Sequence, residues 1–436
     1  MENTKQPSFW QTNKILFKGF LIGFLVLVLL IPTLFINNLI QERTQRAEEV
    51  KREITDQWAG KQEIRGPILS IPYWEYTQTA NKDVLKNKRI AYFLPNQLDI
   101  DGTIHPQKLH RSIFEMVVYT STLKVAGHFD SLNLSKFNVP IQNFIFEESK
   151  INFGINDFRG INEELVLHWN NQDYTLSANH TKSNLIDKGL SVPIRLDEKS
   201  ITTKQTFMLN IDLRGAEGIS FLPFGKRTKV KLQGQWPNPS FEGRSPVSKI
   251  SDSAFNAAWT MLHVNRAYPQ EWLDDDNYNL DASIFGVNLL QPINHYSKNM
   301  RTSKYAILII LLTFVIYFFI ELFQKKSAHP IQYVLVGFAL CIFYTLLLSF
   351  SEWVGFNWAY IIASISTVLL LGFYTSSVFQ SNKSGLIFSI FLSSLYLFIF
   401  SLIQLQDRAL LFGSIGLFCI LALIMYASRK INWYNK

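Results

Sequence analysis

Cysteine is almost absent from this chain of 436 residues, which contains two, Cys341 and Cys419. Both lie inside long apolar segments, and the polar middle of the chain, residues 37–304, has no cysteine at all. A domain built from that middle part must therefore fold by packing and hydrogen bonding, without disulfide bridges. Two isolated thiols also match no metal-binding or redox motif, so neither role is predicted for them.

Charged residues are scarce as well. They make up 17% of the chain against 48% hydrophobic residues, and the formal net charge is +8. An excess of this sign could point to nucleic acid, but the sequence shows no stripe of Lys and Arg interleaved with aromatic residues. Lys and Arg at the ends of membrane segments explain the excess more simply. No nucleic-acid partner is predicted.

Motifs for catalysis or metal binding are missing too. The eight histidines form no His-Glu-x-x-His or Cys/His cluster, and neither a Gly-x-Ser-x-Gly elbow nor a Gly-rich phosphate loop occurs. His105 and His110 have no carboxylate partner motif. The acidic run DDDNYNLD, residues 274–281, resembles a calcium loop, but Asn279 and Phe285 stand where such a loop needs Gly and Glu. The sequence thus predicts no enzyme, no cofactor and no bound metal.

Long apolar runs are what the chain does have. A hydrocarbon core about 30 Å thick takes roughly 20 apolar helical residues to cross, and each crossing segment must be helical because lipid cannot bond to free backbone groups. The first run is long for a signal peptide and has no small-residue cleavage site after it, so we expect an uncleaved anchor. Six segments are predicted to span the membrane: 15–36, 305–323, 331–350, 358–379, 386–404 and 409–426.

Basic residues predict the orientation of these segments, since Lys and Arg favour short cytoplasmic loops. If both termini are cytoplasmic, residues 37–304 form one large extracytoplasmic region, and Arg408 is the only basic residue in a short outside loop. The basic residues on the cytoplasmic side are then Lys5, Lys14, Lys18, Lys325, Lys326, Lys383, Arg429, Lys430 and Lys436.

The extracytoplasmic region begins with a predicted helical stalk, residues 37–60. This stretch has no proline and is rich in Glu, Arg and Gln. Ile40, Ala47, Val50 and Ile54 recur at helical spacing and form a weak apolar stripe. We therefore expect the first span to continue as a helix above the membrane and to pack against the domain that follows.

After the stalk the periodicity changes. Segments rich in Ile, Val, Thr, Tyr and Phe are separated by Gly, Asn, Asp and Pro, which is the pattern of strands and turns. Residues Asn170–Asp173 look like a hairpin connection, and residues 252–272 fit either a short helix or a strand.

These patterns predict a membrane protein of α + β class. It has six transmembrane helices, one N-terminal and five C-terminal, and a large extracytoplasmic domain that is mostly β and sandwich-like. The predicted parts are a cytoplasmic N-terminus with the first helix (1–36), a helical stalk (37–60), a β-rich domain (61–304), a five-helix bundle (305–426) and a cytoplasmic tail (427–436).

Polar residues mark both ends of the third predicted span. His329 and Pro330 begin it, and proline suits a first helical turn, where its missing N–H loses no helical partner. Ser351 and Glu352 end it, where a carboxylate can reach water at the outer interface. Boundary marking is the simplest function of these residues.

Glu321, near the end of the second predicted span, has two candidate partners. Lys325 lies four residues further on, on the same face of a helix. His329 follows after a short turn that makes the second and third spans antiparallel neighbours. We expect Glu321 and His329 to pair and to pin this helical hairpin, without a contribution from Glu352.

Residues 302–364, TSKYAILIILLTFVIYFFIELFQKKSAHPIQYVLVGFALCIFYTLLLSFSEWVGFNWAYIIAS, resemble the CreD family of bacterial inner-membrane proteins. The likeness includes Lys304-Tyr305-Ala306, Glu321, His329-Pro330, Gln332-Tyr333, Gly337, Phe343-Tyr344, the Leu346–Leu348 run, Ser349 and Ser351-Glu352. It extends in order along nearly the whole chain, through GPILSIPY at 66–73, Asp157-x-Arg159-Gly160-Ile161, WPNPSFEG at 236–243 and INWY. The resemblance implies that this chain ends sooner after INWY than members of that family do, without a long polar tail.

The resemblance implies a bacterial inner-membrane protein that supports cell-envelope integrity and the envelope-stress response, with residues 37–304 in the periplasm and no catalytic mechanism. Its partners would be the lipid bilayer and a periplasmic or membrane protein or another envelope component. The recurring polar residues would fix helix packing or couple a span to the domain: Glu321, His329, Pro330, Gln332, Tyr333, Ser351 and Glu352.

A second hypothesis is a transporter or lipid-handling protein that uses the C-terminal helical bundle as a pathway. Polar residues along one continuous face of the bundle would favour this hypothesis. A sealed apolar bundle would instead favour a non-catalytic protein that acts through its β domain.

Overall fold

The computed structural model describes residues 14–78, 84–111, 113–179, 189–274, 278–289, 295–405 and 409–429. The chain divides into two compact units. One, called the membrane unit, comprises Met1–Glu48 and Ile293–Lys436, and the other, called the β unit, comprises Glu49–Pro292. Residues 275–277 of the acidic run, the INWY motif and the end of the predicted tail lie outside the described residues.

The first span and the predicted stalk form one helix. This helix, α1, runs without a break over Lys14–Trp58, as the sequence predicts. In the β unit, Val50 and Ile54 of the predicted apolar stripe are buried in a cluster with Met116 and Val118. The C-terminal part of α1 is therefore an integral part of the β unit.

In the described part of the chain, the membrane unit contains six further helices. They are α2 (His295–Lys304), α3 (Ala306–Gln324), α4 (Pro330–Val354), α5 (Phe356–Phe379), α6 (Asn382–Gln404) and α7 (Ala409–Ser428). Among the described residues, α1 and α3 to α6 are long and apolar enough to cross a membrane. The sixth predicted span forms α7, whose described apolar part, Leu411–Tyr426, is shorter. The predicted class, a membrane protein with an N-terminal span, a C-terminal bundle and a β domain, is confirmed.

Local sequence explains where these helices end. Gly355 joins α4 to α5 with a φ of +76°, a conformation that costs glycine little because it has no Cβ. Lys325 ends α3 and Gln380 ends α5 in the left-handed conformation, with φ of 51° and 47°. Ser381 then caps α6 by accepting a hydrogen bond from the Ser384 amide at 3.4 Å. The connections are short, so consecutive helices run antiparallel.

Aromatic rings and small residues pack the bundle. The Tyr317 ring on α3 lies 4.9 Å from the Tyr333 ring on α4 and 5.2 Å from the Phe379 ring on α5. A Cβ on Gly385 of α6 would lie 2.8 Å from the carbonyl oxygen of Gly372 on α5. These two glycines therefore allow the backbones of α5 and α6 to approach closely.

Strands make up most of the β unit. Those that the structure describes are β1 (Gln62–Gln78), β2 (Val84–Phe93), β3 (Gln97–Arg111), β4 (Phe114–Phe129), β5 (Lys150–Ile155), β6 (Val166–Trp169), β7 (Gln172–Thr175), β8 (Ser177–Asn179), β9 (Gly189–Pro193), β10 (Gln205–Ala216), β11 (Gly218–Phe221), β12 (Arg227–Gly234), β13 (Pro239–Glu242), β14 (Val247–Ile250), β15 (Phe255–Leu262), β16 (Glu271–Leu273) and β17 (Phe285–Leu289).

These strands form two sheets. Sheet A has the order β13-β17-β11-β1-β5-β9-β8, and β2 pairs with both β1 and β16. Sheet B has the order β14-β15-β12-β3-β4-β10-β6-β7. Most neighbours are antiparallel, but β12 runs parallel to β3 and β11 parallel to β1. One hydrophobic core contains residues from both sheets, which confirms the predicted, mostly β body.

Alternation along the strands of sheet B decides which face is buried. In β12, Val230 and Leu232 are buried, whereas Lys231 and Gln233 between and after them are exposed. Successive side chains of a strand point to opposite faces, so one face of sheet B packs into the core. The other face of sheet B carries polar residues.

Two local predictions for the β unit can be compared with the structure. Strands β6 and β7 pair as an antiparallel hairpin, and Asn170 in its turn has a φ of 52°, as such turns require. Residues 252–272, which fitted either a helix or a strand, form β15 and β16. Burial of Phe255, Ala257 and Trp259 at alternate positions explains the choice of strand.

Candidate functional site

A buried carboxylate near the end of α3 connects three helices of the membrane unit. Glu321 is 6% exposed, and Lys18 of α1 forms a salt bridge with its Oε1. The Tyr333 hydroxyl of α4 donates a hydrogen bond to Oε2 at 2.8 Å. Lys18 also donates to the Ala328 carbonyl oxygen at 2.8 Å and to Ser327 Oγ at 3.2 Å. This arrangement is called the Glu321 cluster, with Lys18, Glu321 and Tyr333 as its members.

The chemistry of the Glu321 cluster is that of a structural ion pair. A buried charge is tolerated when it is paired and its remaining lone pairs accept hydrogen bonds. Lys18 neutralises Glu321, and Tyr333 occupies the second carboxylate oxygen. The pair consequently fixes α1 against the α3–α4 hairpin.

The prediction that Glu321 pairs with His329, or with Lys325, is wrong. Among the described contacts, neither Lys325 nor His329 bonds to it. Lys325 adopts the left-handed conformation that ends α3, so it leaves the helical face on which Glu321 lies. Lys18, which is 303 positions away in the sequence, supplies the charge instead.

His329 caps a helix. Its side chain accepts a hydrogen bond from the Ile331 amide at 3.3 Å, and its own amide donates to Gln332 Oε1 at 2.9 Å. Pro330 occupies the first position of α4. His329, Pro330 and Gln332 thus form a capping box that defines where α4 begins.

A second polar cluster lies at the opposite end of α4. The Tyr296 hydroxyl of α2 donates to Glu352 Oε1 at 3.0 Å, and Arg43 Nε of α1 lies 3.9 Å from the same oxygen. Asn299 Nδ2 of α2 donates to Ser351 Oγ at 2.7 Å. The Glu352 cluster, defined by these five residues, joins α1, α2 and α4 at the end away from the Glu321 cluster.

Sequence reasoning missed the partners in both membrane clusters, Lys18, Arg43, Tyr296 and Asn299. The sequence predicts for Lys18 only that it is a cytoplasmic charge. A signal was present, since a lysine close to an apolar span has to reach water or a buried anion. The sequence alone could not identify which anion.

The motif Asp157-x-Arg159-Gly160 forms a third cluster, within the β unit. The amide of Gly60 donates to Asp157 Oδ2 at 3.0 Å, and Arg159 Nη2 donates to the same oxygen at 2.7 Å. Arg159 Nη1 also bonds Asp56 Oδ1 of α1 at 3.0 Å. A Cβ on Gly160 would lie 2.2 Å from the Arg214 carbonyl oxygen, so only glycine fits there. We call this arrangement the Asp157 clamp, because it holds the end of α1 on the β sheets.

Electrostatics within the Asp157 clamp favour the charged carboxylate. The hydrogen bonds from the Arg159 guanidinium, and secondarily from backbone amides, lower the pKa of Asp157 to about 2. The clamp is therefore fully ionised at neutral pH.

Neither metal nor thiol chemistry is evident in the described residues. They contain no group of three or more His, Cys, Asp or Glu side chains that could hold a metal ion. Cys341 and Cys419 are free thiols. The Glu321 cluster, the Glu352 cluster and the Asp157 clamp connect helices and sheets to one another.

The fold and these clusters define a membrane protein in which an apolar helical bundle and a β domain share one chain. The chain matches the family model "Inner membrane protein CreD" over residues 14–434. It is 32% identical over 438 residues to the inner membrane protein CreD of Escherichia coli strain K12, an alignment covering 99% of this chain and 94% of that protein. The chain belongs to the CreD family.

A solved structure of a two-domain M1 zinc metallopeptidase is also similar in part. It shares 11% sequence identity with a TM-score of 0.18, and the match covers 38% of this chain and 39% of that one. A similarity this low carries no argument about fold or function.

We expect Lys18→Met to destabilise the membrane unit by roughly 3 kcal/mol, because it leaves the buried Glu321 carboxylate without its counter-charge. The measurement is thermal unfolding of the full chain in detergent. Lys325→Met, which removes a lysine four residues from Glu321, is the matched control and should change stability by less than about 0.5 kcal/mol.

A double-mutant cycle tests the pairing itself. Lys18→Met combined with Glu321→Gln should lose less stability than the sum of the two single variants. His329→Gln combined with Glu321→Gln should be additive. Additive losses for the first combination would contradict the pairing.

Asp157→Asn should lower the unfolding temperature of the β unit in a pH-dependent way. A folded pKa of about 2 lies below the usual value of about 3.9, so ionised Asp157 stabilises the fold above about pH 4. That contribution declines as the pH falls towards 2, since both states then bind the proton. The difference in unfolding temperature between wild type and variant should therefore be constant from pH 7 to about 4.5 and shrink below it.

The control for this experiment is Asp252→Asn, an exposed aspartate for which the structure describes no side-chain partner. Its unfolding temperature should follow that of the wild type at every pH. A wild-type advantage over Asp157→Asn that grows on acidification would contradict the role of the clamp.

Proposed function

We propose that this chain supports cell-envelope integrity and the envelope-stress response as a non-catalytic inner-membrane protein that acts through its β domain. In this proposal both termini are cytoplasmic and residues 37–304 are periplasmic, where the β domain contacts a periplasmic or membrane protein or another envelope component. The helical bundle anchors the domain in the bilayer.

The packing of the bundle is the observation that supports this function. Phe343 of α4 lies 4.5 Å from the Tyr396 ring of α6 and 5.6 Å from the Tyr360 ring of α5. The Tyr360 hydroxyl donates to the Tyr396 carbonyl oxygen at 2.8 Å. Interlocked rings of this kind fill the space between helices that a conduction pathway would need to leave open.

The distribution of ionisable residues supports the same conclusion. Ionisable side chains in the middle of a span commonly mark ion or proton pathways, because only function offsets their cost in lipid. In the described spans α3 to α6 the acidic and basic residues lie near helix ends, as Glu321, Glu352 and Lys383 do. The two carboxylates among them have partners in the protein.

One observation favours the alternative, a transporter or lipid-handling protein. The hydroxyl oxygens of Thr313, Tyr317 and Tyr344 are buried in the bundle and have no hydrogen-bond partner among the described atoms. Buried hydroxyls without partners cost free energy, and a polar substrate passing between the helices would satisfy them. We therefore keep this function as a second candidate.

The proposed topology predicts which positions an impermeant thiol reagent can reach. Cysteines placed at Ser135 or Asn170, in a chain with Cys341→Ala and Cys419→Ala, should react when the reagent is added to spheroplasts from outside. A cysteine at Ser327 should react only after the membrane is permeabilised. Labelling of position 327 alone in intact spheroplasts would reverse the topology.

Complementation distinguishes the two functions. In cells that lack this protein and are sensitive to envelope stress, Tyr317→Phe with Tyr344→Phe removes two unpartnered hydroxyls and keeps the ring packing. We expect full tolerance from this variant. Loss of tolerance, with normal abundance and thermal stability, would favour the transport function instead.

A photoreactive amino acid at Thr260, on the exposed face of sheet B, tests whether the β domain contacts an envelope component. Crosslinking in living cells should capture the same envelope component in repeated experiments, and the amount of crosslinked product should increase under envelope stress. The same label at Leu369 of α5, an exposed residue of the bundle, should capture lipid. Specific capture from Leu369 and none from the β domain would contradict the proposal.

A further inference from the structure

A groove crosses the exposed face of sheet B. Its volume is about 530 Å³, and it extends over five adjacent strands, β14, β15, β12, β3 and β4. Because neighbouring strands lie about 4.8 Å apart, the groove is roughly 19 Å long across the sheet. Its lining comprises Asp101, Gly102, Thr103, Thr122, Lys124, Lys231, Leu232, Gln233, Val247, Lys249, Asn256, Ala257 and Ala258.

Strand register aligns the groove's four neutral polar residues and Lys249 in one row. Lys249 pairs with Asn256, Asn256 with Gln233, Gln233 with Thr103, and Thr103 with Thr122, which is one residue from each of five strands. The Gln233 amide donates to Thr103 Oγ1 at 3.0 Å, so this contact orients both side chains. The row presents amide and hydroxyl groups at the regular spacing of the strands.

The adjacent row carries most of the charge. Val247, Ala258, Lys231, Asp101 and Lys124 are paired in that order across the same five strands. Ala258, on the second of these strands, has a small side chain that leaves the groove open next to Lys231, and Val247, 84% exposed, forms an apolar wall at one end.

The charge balance of the groove favours an anion. Asp101 lies 3.9 Å from Lys231, which leaves that pair close to neutral. Lys124 and Lys249 have no ion-pair partner among the described residues, and they lie on the first and last strands of the groove. An elongated ligand would thus meet a positive charge near each end and neutral hydrogen-bonding groups between them.

We propose that this groove binds an acidic polysaccharide strand. Its carboxylates contact Lys124 and Lys249, and its hydroxyl groups bond to Asn256, Gln233 and Thr103. The proposal rests on the proposed function, because it names the class of envelope component that the β domain contacts.

The shape and lining of the groove favour a polysaccharide over other anions. A lipid headgroup would occupy one end of a groove that is five strands wide, and Val247 alone offers no slot for an acyl chain. An acidic peptide would seek backbone partners at a sheet edge, whereas four of the five strands under the groove are paired on both sides and only β14 lies at an edge of the described sheet. Hydroxyl-rich ligands match a row of amide and hydroxyl side chains.

Binding can be measured with the full chain in detergent and with polygalacturonate oligomers as the acidic polysaccharide. Wild type should bind these oligomers and should not bind neutral dextran of equal length. Lys124→Gln with Lys249→Gln should weaken binding about tenfold, since each exposed charge contributes up to about 1 kcal/mol. The affinity of the double variant should also depend less on salt.

Two further variants control for charge and for folding. Lys150→Gln removes an exposed lysine from sheet A and should leave the affinity unchanged. Ala258→Trp fills the middle of the groove without changing its charge and should abolish binding, with thermal stability recorded to confirm the fold. Equal affinities for wild type, the double lysine variant and Ala258→Trp would overturn the proposal.

The same binding measurement with two other classes of anionic ligand tests the assignment to a polysaccharide. Binding to vesicles containing phosphatidylglycerol or to a polyglutamate peptide, without binding to polygalacturonate, would overturn the polysaccharide assignment. Crosslinking from other faces of the β domain separates this result from the proposed function. If those faces still capture an envelope component, the proposed function stands and only the groove is wrong, whereas failure of both experiments overturns both proposals.

Discussion

A polar group inside a lipid bilayer has to find its partner within the protein, and the membrane unit is organised by this constraint. Glu321 is buried near the end of α3, and Lys18 and Tyr333 satisfy it. The Glu352 cluster does the same at the far end of α4. Between these two ends the helices pack mainly through aromatic rings and glycines, and the buried hydroxyls of Thr313, Tyr317 and Tyr344 there have no partner among the described atoms. The ion pairs therefore fix α1 on the bundle at two positions along the helix, Lys18 and Arg43.

The β unit satisfies its polar groups differently, because water is available to its surfaces. Alternation buries one face of sheet B and leaves the other polar, whereas β11 and the middle of β1 in sheet A are buried on both faces. The two sheets share one core, without disulfides. The Asp157 clamp adds a specific connection, in which Arg159 joins the end of α1 to the sheets. Its hydrogen bonds lower the pKa of Asp157, so the clamp stays charged under ordinary conditions.

Membership of the CreD family rests on the match to its family model over residues 14–434. Several residues that carry the resemblance in the sequence lie in connections between elements. Glu321, Tyr333 and Ser351 join helices of the membrane unit, and His329 with Pro330 begins one of them. Asp157 and Arg159 join α1 to the sheets. These residues hold helices to one another and hold the end of α1 on the sheets. The groove proposed as a binding site lies elsewhere, on the exposed face of sheet B.

The spans, the long first helix and the mostly β body could be predicted from the sequence alone. An apolar segment in lipid has to be helical, because only a helix satisfies its own backbone groups, and apolar residues at alternate positions indicate a strand. Tertiary structure decided which residues meet. Lys325 and His329 were the partners that local spacing could offer to Glu321, yet the chain brings Lys18 there from 303 positions away. Strand order likewise decided that Lys249, Gln233 and Thr122 share one row across sheet B. Alternation tells which face a side chain occupies, but only the completed sheet tells which strand lies beside it.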